Sequence, residues 1–235
     1  MARCNIPTGS GALSRFLRTR LEVRINRIGV VGHGEGANVA LLSAGQALPP
    51  AFVAALAPYG RPGQQTLLQQ YVDSLRAKST APATVAARYD RQRTMYDIIR
   101  QSSPQQAAAV VANMMRQDNT ALDPAAARAA AAAFLSPAKR AFLAFDPIAT
   151  LDLVACPVLL MAGTLDTATP ADQHLTPLEK ELKSVNRNVL AKRVAGANHL
   201  FQPPAAEWPM LDGVMKPVFS PAAQEALREW IVGLK

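Results

Sequence analysis

Cysteine is nearly absent from this 235-residue chain, which carries only Cys4 and Cys156. Two distant thiols can neither staple a small fold nor supply a zinc site, so neither a disulfide framework nor a metal is expected. No apolar run approaches the roughly 18 to 20 residues needed to cross a bilayer. The N-terminus also lacks the apolar core of a signal peptide, so the expectation is a soluble protein, cytoplasmic by default, with no membrane partner. Acidic residues are the minority charge, 17 against 25 Lys and Arg, for a net +8. What the chain does hold is apolar residues, at 49%. That content excludes intrinsic disorder and a collagen-like fibre and predicts one large domain or two small ones.

Part of the basic excess sits at the start, in Arg3, Arg15, Arg18, Arg20, Arg24 and Arg27, with Glu22 as the lone acid of that stretch. A nucleic-acid arm or a targeting segment would look similar. Leu13, Phe16, Leu17 and Leu21 are interleaved at helical spacing, however, and this favours the solvated face of an ordinary surface helix, with no nucleic-acid partner.

Four short, largely apolar runs read as strands buried on both faces of a mostly parallel sheet: Ile28–Val31, Phe52–Leu56, Val158–Met161 and, more weakly, Val189–Val194, which Lys192 and Arg193 interrupt. Between the second and third, residues 63–143 turn rich in Ala, Gln and Arg. Prolines 82, 104, 124 and 137 punctuate this stretch at helix-length intervals. Asp123-Pro124 and Ser136-Pro137 are helix openings, a side-chain acceptor followed by proline in the first turn. The alanine-rich stretch 125–133 fits a plain helix. The predicted organisation is therefore a core from 1–62 and 144–235 interrupted by an all-helical insertion at 63–143. A last helix, Pro221–Val232, carries Ala222, Ala226, Leu227, Trp230 and Ile231 on one stripe and is expected to pack on the sheet.

The first strand runs into Gly32-His33-Gly34-Glu35-Gly36-Ala37 and then a helix, and this turn has two chemical registers. As G-x-G-x-x-A, Gly32, Gly34 and Ala37 form a dinucleotide fingerprint at a helix N-terminus. The second strand is followed by Pro58-Tyr59-Gly60-Arg61, which offers no ribose-binding acid, although Arg61 could meet the 2′-phosphate of an NADP-type cofactor. As G-x-S-x-G, the turn is a nucleophile elbow with Gly34 at the serine position. Two distant segments favour the elbow: Gly163-Thr164-Leu165-Asp166 past the third strand, and Asn198-His199-Leu200-Phe201 past the fourth. They give the chain order nucleophile, acid, base.

From about Phe16 onward the chain resembles bacterial α/β-hydrolases of the serine aminopeptidase-like and esterase-like group. The elbow there typically reads Gly-His-Ser-Glu-Gly, the acid sits in a Gly-x-x-Asp turn followed shortly by proline, here Pro170, and the base in an Asn-His-Leu-Phe segment. The resemblance implies hydrolysis of ester or amide bonds with no cofactor. Asp166 would be the triad acid, His199 the general base, and the Glu35 backbone N–H an oxyanion donor. The helical insertion would cap a pocket for a small acyl ester or peptide-like ligand. With Gly34 in place of serine, loss of the nucleophile would cost about a millionfold in turnover, leaving an inactive or strongly impaired hydrolase or a non-catalytic binding protein.

The resemblance also implies strands and a second oxyanion donor ahead of the elbow. The elbow lies only about 30 residues from Met1. The expectation is thus a partial fold with Ile28–Val31 as an edge strand and self-association through that edge. Among the remaining candidates, His33 reads as a packing residue and His174 as a surface residue at a helix start. The Glu35 side chain points away from the pocket, Gly32 and Gly36 let strand and helix approach, and Ser43 lies too far down the helix.

Overall fold

The computed structural model describes residues 9–149 and 151–234. The Cys4 and Arg3 readings lie outside them. Two compact units divide the chain: Pro62–Asp146 forms one, and the flanking segments Met1–Arg61 and Pro147–Lys235 form the other. None of the described helices is long and apolar enough to cross a membrane.

The discontinuous unit is built on a parallel sheet of β1 (Val30–His33), β2 (Val53–Leu56), β3 (Val158–Gly163) and β4 (Val189–Val194), in spatial order β1-β2-β3-β4. β1 starts and ends two residues later than its apolar run suggests. Its register is set by pairing with β2, Val30 opposite Val53 and His33 opposite Leu56. Among the described residues β1 pairs only with β2, so it is an edge, and Val31 is half exposed.

Burial on both faces, expected of all four strands, holds for β2 and β3, every residue of which is buried and which alternation divides between two cores. In β4, the last strand of the order, only Val194 is buried. Val53, Ala55, Val158, Leu160 and Ala162 face α2 (Glu35–Ala44) and α8 (Leu175–Val185), whose contributions include Ala37, Leu41, Leu178 and Leu182. Ala54, Leu56, Leu159 and Met161 face the other way, onto Phe201 and α9 (Pro221–Gly233). With sequential strand order, right-handed crossovers place α2 and α8 on one face and leave the other for α9. On α9 the buried stripe is Ala223 and Ala226 with Leu227 and Trp230. Ala222, expected in that stripe, is exposed, and Ala223 takes the buried position one turn ahead of Ala226 and Leu227. At the N-terminus, α1 (Gly9–Arg18) is amphipathic, yet Leu13 and Phe16 are more than half exposed and Leu21 lies beyond the helix in open solvent. An exposed two-stranded hairpin, β5 (Met210–Leu211) with β6 (Val214–Met215), precedes α9.

The continuous unit is helical throughout: α3 (Gly63–Ala77), α4 (Pro82–Gln101), α5 (Pro104–Asp118), α6 (Pro124–Phe134) and α7 (Pro137–Ala144). Pro82, Pro104, Pro124 and Pro137 each occupy the first position of a helix, where the missing N–H has no intrahelical role. Ser103, Asp123 and Ser136 cap the last three with side-chain acceptors, Ser103 in a reciprocal capping box with Gln106. Ile99, Ala107, Val111, Ala127, Ala131 and Leu143 make the centre of its core. Arg140 closes the C-terminal end of α4 by donating to the carbonyls of Ile99 and Ser102. The two ends of the unit are joined by a hydrogen bond from Gly63 N–H to the Phe145 carbonyl, 2.9 Å.

Candidate active site

The turn between β1 and α2 is tight because two backbone segments nearly touch. A Cβ on Gly32 would lie 2.1 Å from the Gly36 carbonyl oxygen, so no side chain fits there. Gly36, expected to share that role, has open space around its own Cβ direction. The close approach is thus a requirement on Gly32 alone. Gly34 sits at φ 57°, ψ −122°, immediately before α2. Its N–H donates to the Leu56 carbonyl at 2.9 Å, and its own carbonyl accepts from Ala37 N–H at 3.0 Å. This backbone favours glycine and strains any residue with a side chain by about 1 to 3 kcal/mol. Among the described residues, a Cβ at Gly34 would meet one atom within 4 Å outside its chain neighbours, Nε2 of His199 at 3.9 Å.

His199 is carried by a loop after β4 that Asn198 organises. The Asn198 side-chain oxygen accepts from the N–H groups of Leu200 and Gln202, both at 2.9 Å. Fully buried Phe201 anchors the loop in the core, with its ring edge-on to His33 at 6.3 Å. Asp166 follows β3, and its carboxylate is fully buried and heavily hydrogen-bonded. Oδ1 accepts from Ala168 N–H at 2.9 Å and Thr169 N–H at 2.7 Å, while Oδ2 accepts from the Thr169 hydroxyl at 2.6 Å. His199 Nδ1 donates to Oδ2 at 2.9 Å.

Burial pushes the Asp166 carboxyl up, but hydrogen bonds from His199 and Thr169 outweigh it and hold the group below the ordinary aspartate range. An ionised carboxylate only accepts, so the proton of a neutral His199 ring is fixed on Nδ1. Nε2 is left as a lone pair aimed at residue 34. The imidazole is partly exposed, and solvent therefore reaches it.

The structure thus brings Gly34, Asp166 and His199 together. Glu35 is the first residue of α2, so its N–H belongs to the group of helix N-terminal donors without an intrahelical acceptor; its side chain is exposed. His33, read as a packing residue, is exposed, although its ring meets those of His199 and Phe201. Its Nε2 donates to the His199 carbonyl at 2.8 Å, and the two histidine rings lie 4.9 Å apart. Ser43 is buried in α2 and donates to the Ala40 carbonyl.

His174, expected on the surface, is buried and only 2% exposed. It precedes α8 in a segment packed against the second strand's exit loop, where its Nδ1 accepts from Gly60 N–H at 3.2 Å. Burial, reinforced by the Arg61 charge, lowers its pKa to about 4. Arg61, the residue assigned to a 2′-phosphate in the dinucleotide register, donates to Gln173 Oε1 at 2.9 Å.

Sequence reasoning missed Asn38 and Thr169. Asn38 clamps the Tyr59 backbone, accepting from its N–H at 2.9 Å and donating to its carbonyl at 2.8 Å. Burial pushes the Tyr59 phenol up, and the carboxylates of Glu35 and Asp166 add to the effect. Thr169 had a readable signal. An Asp followed three residues later by Thr and then Pro is an Asx-type turn, in which the side chain takes the backbone N–H groups ahead of it.

A parallel sheet with a glycine elbow after one strand, an acid after a later strand and a histidine after the next is the arrangement of an α/β-hydrolase core. No protein-family model and no curated protein matches the chain. Among solved structures it is similar to an esterase of Pyrococcus furiosus, at 14% identity and a TM-score of 0.45 over 79% of this chain and 50% of the esterase. A monoacylglycerol lipase of Paleococcus ferrophilus matches at 16% identity and a TM-score of 0.44, over 94% of this chain and 73% of the lipase. A putative non-heme bromoperoxidase of Mycobacterium tuberculosis matches at 19% identity and a TM-score of 0.40, over 81% and 64%. The chain spans about half the length of the esterase.

Proposed function

We propose that this chain is a hydrolase-type acyl site that keeps its acid and base but has no side-chain nucleophile. It binds a small ester or amide with the carbonyl between Gly34 and His199, and it forms no acyl-enzyme at residue 34. The observation that carries this reading is the relation of three groups: Asp166 holds Nδ1 of His199, and Nε2 faces the Cβ direction of Gly34 at 3.9 Å. In a serine hydrolase the attacking hydroxyl hangs from that point, with the base within hydrogen-bond reach. Glycine supplies no hydroxyl, so the covalent route is closed while the proton-handling pair persists.

The test is covalent labelling. The unaltered chain is expected to stay unlabelled by a fluorophosphonate, and Gly34→Ser to be labelled at the new hydroxyl. Stoichiometric labelling of the unaltered chain next to the elbow would overturn the reading. Failure of the serine variant to label while still folded would show that Nε2 does not address residue 34.

A further inference from the structure

We propose that His199 acts directly on water, so that the site hydrolyses activated esters without forming an acyl-enzyme. The inference rests on the preceding reading of residue 34 as the point of attack, and it adds an activity that a site without a nucleophile would otherwise lack.

The room for the attacking molecule comes from the glycine. Around the Cβ direction of Gly34, the one atom of the described residues within 4 Å outside the chain neighbours is His199 Nε2, at 3.9 Å. A water hydrogen-bonded to Nε2 at an ordinary O–H···N distance of about 2.8 Å falls in the region that a hydroxyl on residue 34 would take. That nitrogen is the free one, because Asp166 and Thr169 hold the Nδ1 side of the ring. The His33 bond to the His199 carbonyl fixes the loop that carries it. A general base needs this arrangement: hydrogen-bond reach to the proton it removes, the correct tautomer, and an orienting partner behind it.

The step balances without another reactant. Nε2 takes a proton from water as the oxygen adds to the ester carbonyl carbon, and the carbonyl π pair moves to its oxygen, which faces the N–H groups at the start of α2. The tetrahedral adduct collapses, the C–O bond to the leaving group breaks, and the alkoxide or phenolate takes the proton back from Nε2. Ester and water become acid and alcohol, and His199 returns to its starting form. A positioned general base contributes typically 10² to 10⁴, so the expected activity is modest and confined to esters with good leaving groups.

The experiment uses the full chain with 4-nitrophenyl acetate and compares it with His199→Ala and Asp166→Asn. His33 is present in all three, so its background is common to them. The unaltered protein is expected to release nitrophenolate linearly from the first turnover, about a hundredfold faster than His199→Ala. Asp166→Asn is expected to fall at least tenfold, because an amide can donate to Nδ1 and so reverse the tautomer. Thermal melts establish that the variants fold; where His199→Ala does not, His199→Gln takes its place. Equal rates for the unaltered protein and a folded His199 variant overturn this inference and leave the preceding reading standing. An initial burst of nitrophenolate equal to the protein concentration, or labelling by a fluorophosphonate, overturns the preceding reading and this inference together.

Discussion

The helical unit and the sheet unit are held by forces of different range. In Pro62–Asp146 each helix begins within a residue or two of the group that starts it: Ser103, Asp123 and Ser136 cap from the sequence immediately ahead, and proline opens four of the five helices. Damage there is local and graded, because a lost cap costs about 1 kcal/mol and the neighbouring helix keeps its own. In the sheet unit the determining contacts join residues far apart in the chain. Leu56 accepts from Gly34 N–H, Gly60 donates to His174, and His33 bonds the loop of His199. Few of these contacts have substitutes. The comparison teaches that the same number of altered atoms should weigh more heavily at the elbow and its partners than anywhere in the helices.

The sharpest way to break that comparison is Gly32→Val. With backbone oxygen 2.1 Å from the Cβ position, the elbow must open. We expect a loss of about 3 kcal/mol or more in denaturant unfolding; a change within experimental error would show that the strand and helix separate freely.

Acid should affect the sheet unit next. The pKa of His174 is about 4 in the folded chain against an unfolded value of 6.5. Between those values the unfolded state binds more protons, so stability rises with pH. The contribution is complete above pH 6.5 and is lost as pH falls towards 4, by on the order of 3 kcal/mol. Asp166, also lowered, acts in the same direction at still lower pH, its contribution vanishing as the pH drops through its folded value. Unfolding curves at pH 7 and pH 4.5 check this: His174→Phe should flatten the difference between them, while leaving Gly60 N–H unpaired at both.

Gly34→Ser should be milder, about 1 to 2 kcal/mol of elbow strain at φ 57°. A serine variant as stable as the original would mean that the turn relaxes out of the left-handed region. Smallest is Asp123→Ala in the helical unit, about 1 kcal/mol through loss of the bonds to the Ala125 and Ala126 N–H groups. Should this cap variant exceed the Gly32 variant in a melting experiment, the contrast between the two units would be inverted.

The same difference of range decided what could be read from the sequence. Asp123-Pro124 and Ser136-Pro137 marked their helices correctly because cause and effect lie in one turn of chain. The apolar runs located all four strands, but β1 was displaced by two residues, since its ends are set by Val53–Leu56 and not by its own composition. Gly34, Asp166 and His199 were legible as a pattern of order and spacing. His174 was misjudged because a polar residue before a helix looks solvent-facing until the Gly60 loop is folded onto it. Leu13 and Phe16 are more than half exposed. Helical spacing identifies a face, and only the three-dimensional surroundings reveal whether anything covers it.

The Gly63–Phe145 hydrogen bond at the base of the helical unit has a consequence for how the chain folds. β2 ends at Leu56 and its partner β3 begins at Val158, so pairing them from an open chain closes a loop of roughly 100 residues, an entropic cost that grows with the logarithm of loop length. Once the helices have formed and their ends are clasped, most of that loop no longer counts: the two strands are tethered by the roughly 20 residues that lie outside the clasp. The detour then acts as a preformed buckle, and the order of events is helices first, parallel pairing second. Pulsed hydrogen exchange during refolding should find the amides of α4 to α7 protected before those of β2 and β3, and the reverse order would show that the sheet closes across an open loop.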